Sequence, residues 1–217
     1  MFSLARKQLS NDEIARRASS LRNETGIGDI EYFNIVDFVQ GPLRTWLLAR
    51  GRGKLTIDLR HSEDEADLPR VELSKLILHS SPERWFEAGI AEPLARYEVG
   101  HEIGHLALHN YFDFNFSPDE VTAPGILTPT IEAEANRFAH EFLVPKSIAL
   151  SIADPSAIAR RCSVPIEVAD EQFGGVARIA RPIDFCGCGQ ITSGRDANGN
   201  PLCVDCAKRL SSRTSWD

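Results

Sequence analysis

The stretch Ala95-Arg96-Tyr97-Glu98-Val99-Gly100-His101-Glu102-Ile103-Gly104-His105-Leu106-Ala107-Leu108-His109 decides how this chain is read. It reads as a helix with His101, Glu102 and His105 in the spacing HExxH. Positions four apart on a helix lie on the same face, so both imidazoles can reach one ion, while Glu102 projects beside it. Zinc suits neutral imidazole, and a catalytic zinc takes three protein ligands and keeps its fourth position for water. A carboxylate beside such a metal-activated water can take its proton, which assigns Glu102 as general base. The competing reading is a helix whose polar groups are satisfied structurally. Ile103, Gly104, Leu106, Ala107 and Leu108 make the helix a buried one. There, a polar group without a partner costs about 2–7 kcal/mol. One zinc meets that need for both histidines and the glutamate together.

The chain has 217 residues, enough for one well-cored domain with a small appendage. Its net charge of −7 gives no general affinity for phosphate, although an acidic total leaves room for a local basic patch. Nothing approaches the roughly 18 apolar residues that a membrane helix needs, and Phe2 to Leu9 is too short and too charged for a secretory signal. A cytoplasmic location is therefore expected. Four of the five cysteines cluster near the C-terminus, which in a reducing compartment points to metal before disulfides.

Ser10-Asn11-Asp12-Glu13 has the form of a capping box, followed by Ile14, Ala15, Ala18 and Leu21 at helical spacing, with an end near Thr25-Gly26. This helix is expected to pack on its own domain. A second helical segment, Phe33 to Val39, is expected to stop at Gly41-Pro42. Lys54 to Leu59 and Lys75 to His79 read as strands, and His61 to Arg70 as a charged, solvated loop. Asp37, His61 and His79 have no ligand spacing and are given surface or core-satisfied roles. A short sheet laid against the metal-bearing helix offers an edge strand that could hold an extended peptide, and the strand pair before Pro93 is the candidate for that role.

Two histidines need a third ligand. After a turn-rich loop, Asn110 to Thr130, of which Tyr111 to Pro129 is long enough to act as a lid, a helix is expected from a cap at Thr130 to the stop at Pro145. Stepping by three and four from Glu132 gives Ala135, Asn136, Ala139 and Leu143, a small and apolar stripe able to lie close to a neighbouring helix. The same steps from Glu134 give Arg137, Phe138 and Glu141. Glu132 is therefore the expected third ligand, with Glu134 expected to pair with Arg137 in solvent. Asn136 is placed to accept a ring N–H from a ligand histidine; its plainer reading is a helix-contact amide.

Two separated blocks now carry a resemblance. Arg96-Tyr97 before the HExxH, then Leu108-His109, then Glu132-Ala133-Glu134-Ala135-Asn136-Arg137-Phe138-Ala139 closing at Leu143-Val144-Pro145, resemble the ImmA/IrrE metallopeptidase family from about Ser10 to Ala180. The resemblance implies a gluzincin-like fold with His101, His105 and Glu132 on the metal and Glu102 as base. It also implies an endopeptidase of few substrates, typically cleaving a helix-turn-helix repressor. His140 stands where the family has a small residue. It is open to a substrate or oxyanion contact, against an expected place on the exposed helix face.

Asp154 to Cys162 and Pro165 to Phe173 form two short helical patterns resembling a helix-turn-helix. Glu167, Asp170 and Glu171 on the second would repel phosphate, so packing or substrate docking is the expected role. Beyond them, Cys186-Gly187-Cys188 and Cys203-Val204-Asp205-Cys206 flank a polar hairpin-like stretch and supply the four thiolates of a closed structural zinc site. Such a ribbon buries too little apolar surface to fold without its metal. Cys162 stands apart as a buried thiol. Residues 151–217 hold eight basic and eight acidic residues, so no strong phosphate-binding surface is evident, and a nucleic-acid partner is left undecided.

The expected fold is α+β. A mainly helical metallopeptidase core with a small sheet on the HExxH helix spans 1–150, a helical pair 151–182 and a zinc-ribbon-like hairpin 183–217. The expected function is zinc-dependent endopeptidase action on a protein, a helix-turn-helix repressor or similar regulator, with two zinc ions per chain. The alternative is a non-proteolytic zinc-containing regulatory module that binds protein or nucleic acid. Sequence fixes neither the substrate nor the oligomeric state.

Overall fold

The computed structural model describes residues 8–60, 68–109 and 129–179 and two short strands at 194–195 and 201–202. Two compact units divide at 176/177. In the first, α1 (Asn11–Glu24) begins at Ser10, whose hydroxyl accepts the Glu13 N–H at 3.2 Å, as a capping box requires. It stops at Thr25, where Gly26 takes φ +80°, a backbone state that favours glycine. Ile14, Ala18 and Leu21 are fully buried, so α1 packs into its own core.

The Gly41-Pro42 pair does not stop the second helix. α2 (Ile35–Phe38) runs through a π-helical turn at Val39–Leu43 into α3 (Arg44–Ala49). A proline ring clashes with the carbonyl four residues back and offers no N–H, and one widened turn relieves both problems. The Gly41 carbonyl accepts from the Thr45 hydroxyl at 3.2 Å. Burial of Val39, Leu43 and Leu47 on either side rewards continuing the helix, and this outweighs the local breaker signal.

Strands β1 (Thr56–Leu59), β2 (Arg70–Glu72) and β3 (Ile77–Ser80) form a mixed sheet in the order β1-β3-β2. β1 runs parallel to β3, with Asp58 opposite His79, and β2 runs antiparallel to β3, with Val71 opposite Leu78. Arg70, read from sequence as loop, instead opens an edge strand. His79 is satisfied on the sheet, its Nδ1 3.2 Å from Asp58 Oδ2.

α4 (Pro82–Gly89) leads to α5 (Pro93–Leu108), the centre of the fold, which packs on α1, α2, α4, β2 and α6 (Pro129–Leu143). Glu92 caps α5 by accepting the Ala95 N–H at 2.6 Å. α5 is buried on nearly every side. Where it crosses α6, a Cβ on Gly104 would stand 2.9 Å from the Ala135 carbonyl oxygen, so only glycine lets the two backbones approach this closely. Thr130 lies inside the first turn of α6, which starts one residue earlier than the expected cap.

α7 (Lys146–Ile152) is followed by α8 (Pro155–Cys162), capped by Asp154, and α9 (Ile166–Ile179). Ile158, Cys162, Val164, Val168 and Ala169 join the main core, and Gln172 Nε2 donates to the Val144 carbonyl at 2.9 Å. Two fully buried arginines tie distant segments together by donating to backbone carbonyls. Arg22 reaches Gly28 and Ile30 and, on α6, Phe142. Arg96 on α5 reaches Phe33, Cys162 and Ser163.

The second unit contributes β4 (Gly194–Arg195) and β5 (Pro201–Leu202), paired antiparallel. They lie in sequence between the two cysteine pairs. Cys186, Cys188, Cys203 and Cys206 fall outside the described residues, as do residues 111–128 of the segment read as a lid, while Pro129 opens α6. The described part is thus mostly helical with one small mixed sheet, an α+β architecture. No described helix is long and apolar enough to cross a membrane.

Candidate metal centre

α5 and its C-cap residue place His101, His105 and His109 in succession, with ring centroids 4.7 Å apart for the first pair and 5.1 Å for the second. His101 Nε2 and His105 Nε2 converge to 2.9 Å. From α6, Glu132 reaches the same point, with Oε2 3.0 Å from His101 Nε2 and Oε1 3.5 Å from His105 Nε2. Among the described residues, His101, Glu102 and His105 are also close enough to offer ligand atoms to one ion.

Geometry separates the two glutamates. Glu102 Oε1 stays 3.9 Å from His101 Nε2, and its Oε2 accepts the Val71 N–H of β2 at 2.6 Å. The β2 hydrogen bond therefore holds Glu102 beside the cluster, whereas Glu132 points at it. A tetrahedral zinc with bonds of about 2.0–2.1 Å sets neighbouring N and O ligand atoms about 3.3 Å apart. The separations of 2.9, 3.0 and 3.5 Å scatter around that value, so His101, His105 and Glu132 fit such an ion.

The surroundings are unequal. Glu102 is 7% exposed, and burial pushes its carboxyl up to about 8, opposed by the Val71 N–H and reinforced by the Glu132 charge. His105 is 1% exposed; burial, with His101 and His109 alongside, pulls it down to about 3 and keeps the imidazole neutral, the form that binds metals. His101 lies nearer the surface, and its Nδ1 is 2.7 Å from Asn136 Oδ1, which also accepts the Tyr97 hydroxyl at 3.0 Å. Asn136 itself is exposed.

α6 turns differently from the expected orientation. Its buried face runs through Ile131, Glu134, Ala135, Phe138, Ala139 and Phe142. Glu132 is at the rim, its side chain 41% exposed. Glu134 does not pair with Arg137 in solvent. It is 2% exposed, with Oε2 3.1 Å from His109 Nε2 and Oε1 accepting the Leu9 N–H at 2.8 Å. Arg137 pairs instead with Glu141 and, at 3.2 Å, with Glu171. The reason is tertiary: a buried imidazole and a backbone N–H outbid a charge one turn away. His140 is not on an exposed face either; it lies 3.3 Å from Glu171 Oε2 with its ring beside Tyr97.

His109 and Glu134 are the contacts that sequence reasoning missed. His105 Nδ1 is 3.0 Å from His109 Nδ1, so the deeper histidine of the pair is backed by another histidine and a buried carboxylate. The available signal was His109 one turn beyond His105, on the same face.

Comparison with known proteins gives a partial match. A solved structure described as a Mycobacterium tuberculosis transcriptional regulator is 15% identical, with a TM-score of 0.48, over 79% of this chain and 49% of that one. This chain therefore spans about half the length of that structure. No curated protein matches. The family model for the IrrE N-terminal-like domain, Peptidase_M78, matches residues 91–173, which takes in α5, α6 and the helices that follow. The segment 91–173 is thus similar to the IrrE N-terminal-like domain of the Peptidase_M78 family.

Proposed function

We propose that this chain is a zinc endopeptidase that cleaves a protein substrate, with His101, His105 and Glu132 as metal ligands and Glu102 as general base. The observation that carries the reading is the convergence of two imidazole nitrogens and a carboxylate from two helices, with a second carboxylate held beside them. Zinc bound there supplies Lewis acidity, polarising a peptide carbonyl and acidifying a water.

The chain's own residues do the rest. The Val71 N–H fixes one Glu102 oxygen and leaves Oε1 turned to the cluster, where it takes a proton from the attacking water and returns it to the leaving amine nitrogen. Asn136 Oδ1 accepts a hydrogen bond from the His101 Nδ1–H and so leaves Nε2 free for the metal. β2 is an edge strand beside this point, and its outward N–H, that of Val71, is the one committed to Glu102.

The substrate is a helix-turn-helix repressor or similar regulator, a reading supported by the two motif blocks and the Peptidase_M78 domain. Cys186, Cys188, Cys203 and Cys206 hold a second, structural zinc in a C-terminal segment from about 183 onward, after the helical pair. Replacing Glu102 with Gln is expected to keep zinc bound while lowering cleavage of the repressor encoded nearest to the gene about 10²–10⁴-fold. Undiminished cleavage removes Glu102 from its role. Binding without cleavage under every metal condition removes the peptidase reading. Metal analysis is expected to give two zincs, one lost with His101→Ala and the other with Cys203→Ser.

A further inference from the structure

We propose that His109 and Glu134 are positioning residues for His105, which they hold in the one tautomer that presents Nε2 to a metal. The inference rests on the reading of His101, His105 and Glu132 as ligands and adds to it two residues that the metal itself does not touch.

A count of protons fixes the direction of the chain. His105 Nε2 faces His101 Nε2 at 2.9 Å and Glu132 Oε1 at 3.5 Å, so to bind a metal it must carry no proton. The single proton of the neutral ring then sits on Nδ1 and is donated to His109 Nδ1 at 3.0 Å. His109 therefore accepts at Nδ1, keeps its own proton on Nε2, and donates it to Glu134 Oε2 at 3.1 Å. The remaining Glu134 oxygen accepts the Leu9 N–H at 2.8 Å. Every step of this chain runs from donor to acceptor. The opposite direction would put a proton on His105 Nε2 and close it to the ion.

The arrangement is rigid where it needs to be. His109 is fully buried, and its carbonyl, at the end of α5, accepts from the Arg52 guanidinium, which fixes the backbone that carries the ring. Glu134 is held from two sides by elements far apart in sequence, the end of α5 and the lead-in to α1. His101 has a lighter device for the same task, the exposed Asn136 amide.

The test uses the full chain, zinc alone as probe in competition with a chromophoric chelator, and urea unfolding of the metal-free protein. The binding step read is the one that His101→Ala removes. His109→Leu is expected to weaken that step about 10–100-fold. His109→Gln, whose carbonyl can accept from His105 and whose amide can donate to Glu134, is expected to recover most of the loss. Glu134→Gln is expected to fall between the two.

If His109→Leu lowers the stability of the metal-free chain but leaves zinc affinity at the wild-type value, the pair is merely structural and the proposal fails. If His101→Ala itself leaves zinc binding unchanged, the metal-centre reading fails first. Should His109→Leu not fold, nitrogen-15 imidazole spectra of the zinc-loaded wild-type chain decide. Protons on His105 Nδ1 and His109 Nε2 support the proposal, and a proton on His109 Nδ1 overturns it.

Discussion

α5 and α6 lie against each other and share the candidate centre, yet they are built on opposite plans. α5 is buried on nearly all sides, so its buried polar side chains have defined neighbours: Arg96 reaches the Phe33, Cys162 and Ser163 carbonyls, Glu102 meets β2, and His105 meets His109. α6 has one buried face and one open one, and Glu132 and Asn136 stand toward the open side. A site assembled between two such helices has one wall fixed by packing and one reachable by a ligand from solvent. The deep wall sets the ligand geometry; the rim leaves access.

The largest effect that tests this contrast is at Arg96. Replacing it with Leu strands the Phe33, Cys162 and Ser163 carbonyls in the interior, and each buried acceptor left unmatched costs about 1–3 kcal/mol. A loss of about 3 kcal/mol or more in urea unfolding is expected. A loss below about 1 kcal/mol would mean that α5 is less firmly enclosed than its burial indicates.

Next in size is a pair of glycines on the same helix. In Gly104→Ala the new methyl meets the Ala135 backbone at 2.9 Å and 3.1 Å, so α6 itself has to shift, at about 1–3 kcal/mol. In Gly100→Ala the nearest atom, at 3.0 Å, is the end of the Leu143 side chain, which can turn aside. The helix-propensity gain of about 1 kcal/mol then offsets most of the contact. Equal losses at both positions would show that the close approach of the two backbones is not what Gly104 protects.

What the sequence disclosed follows the same division. The spacing of His101, Glu102 and His105 is legible because an enclosed helix needs no choice of face, and Ser10 with Glu13 is legible because capping is local. Alternation located β1 and β3. β2 was hidden, since three residues with charges at both ends, Arg70 and Glu72, look like loop until β3 pairs with them. Glu134 was misread because its real partners, His109 and the Leu9 N–H, are 25 and 125 residues away, while Arg137 is one turn away. The π-turn at Val39–Leu43 was hidden for a related reason: the Gly-Pro signal is local, and the burial that carries the helix past it is not.

The smallest expected effect on stability is at the rim, and it separates the two glutamates of α6. Glu132 is 41% exposed at its side chain, so Glu132→Gln removes no buried charge and leaves no buried donor unmatched. The metal-free chain is expected to unfold within about 0.5 kcal/mol of wild type, while the zinc-binding step that depends on His101 weakens sharply for want of the carboxylate. Urea unfolding in chelator and zinc competition on the same preparation give both readings. A loss of stability with zinc affinity intact would make Glu132 a strut between α6 and the α5 histidines. Loss of affinity alone places it where the geometry does, at the open end of a cluster whose closed end is already held from behind.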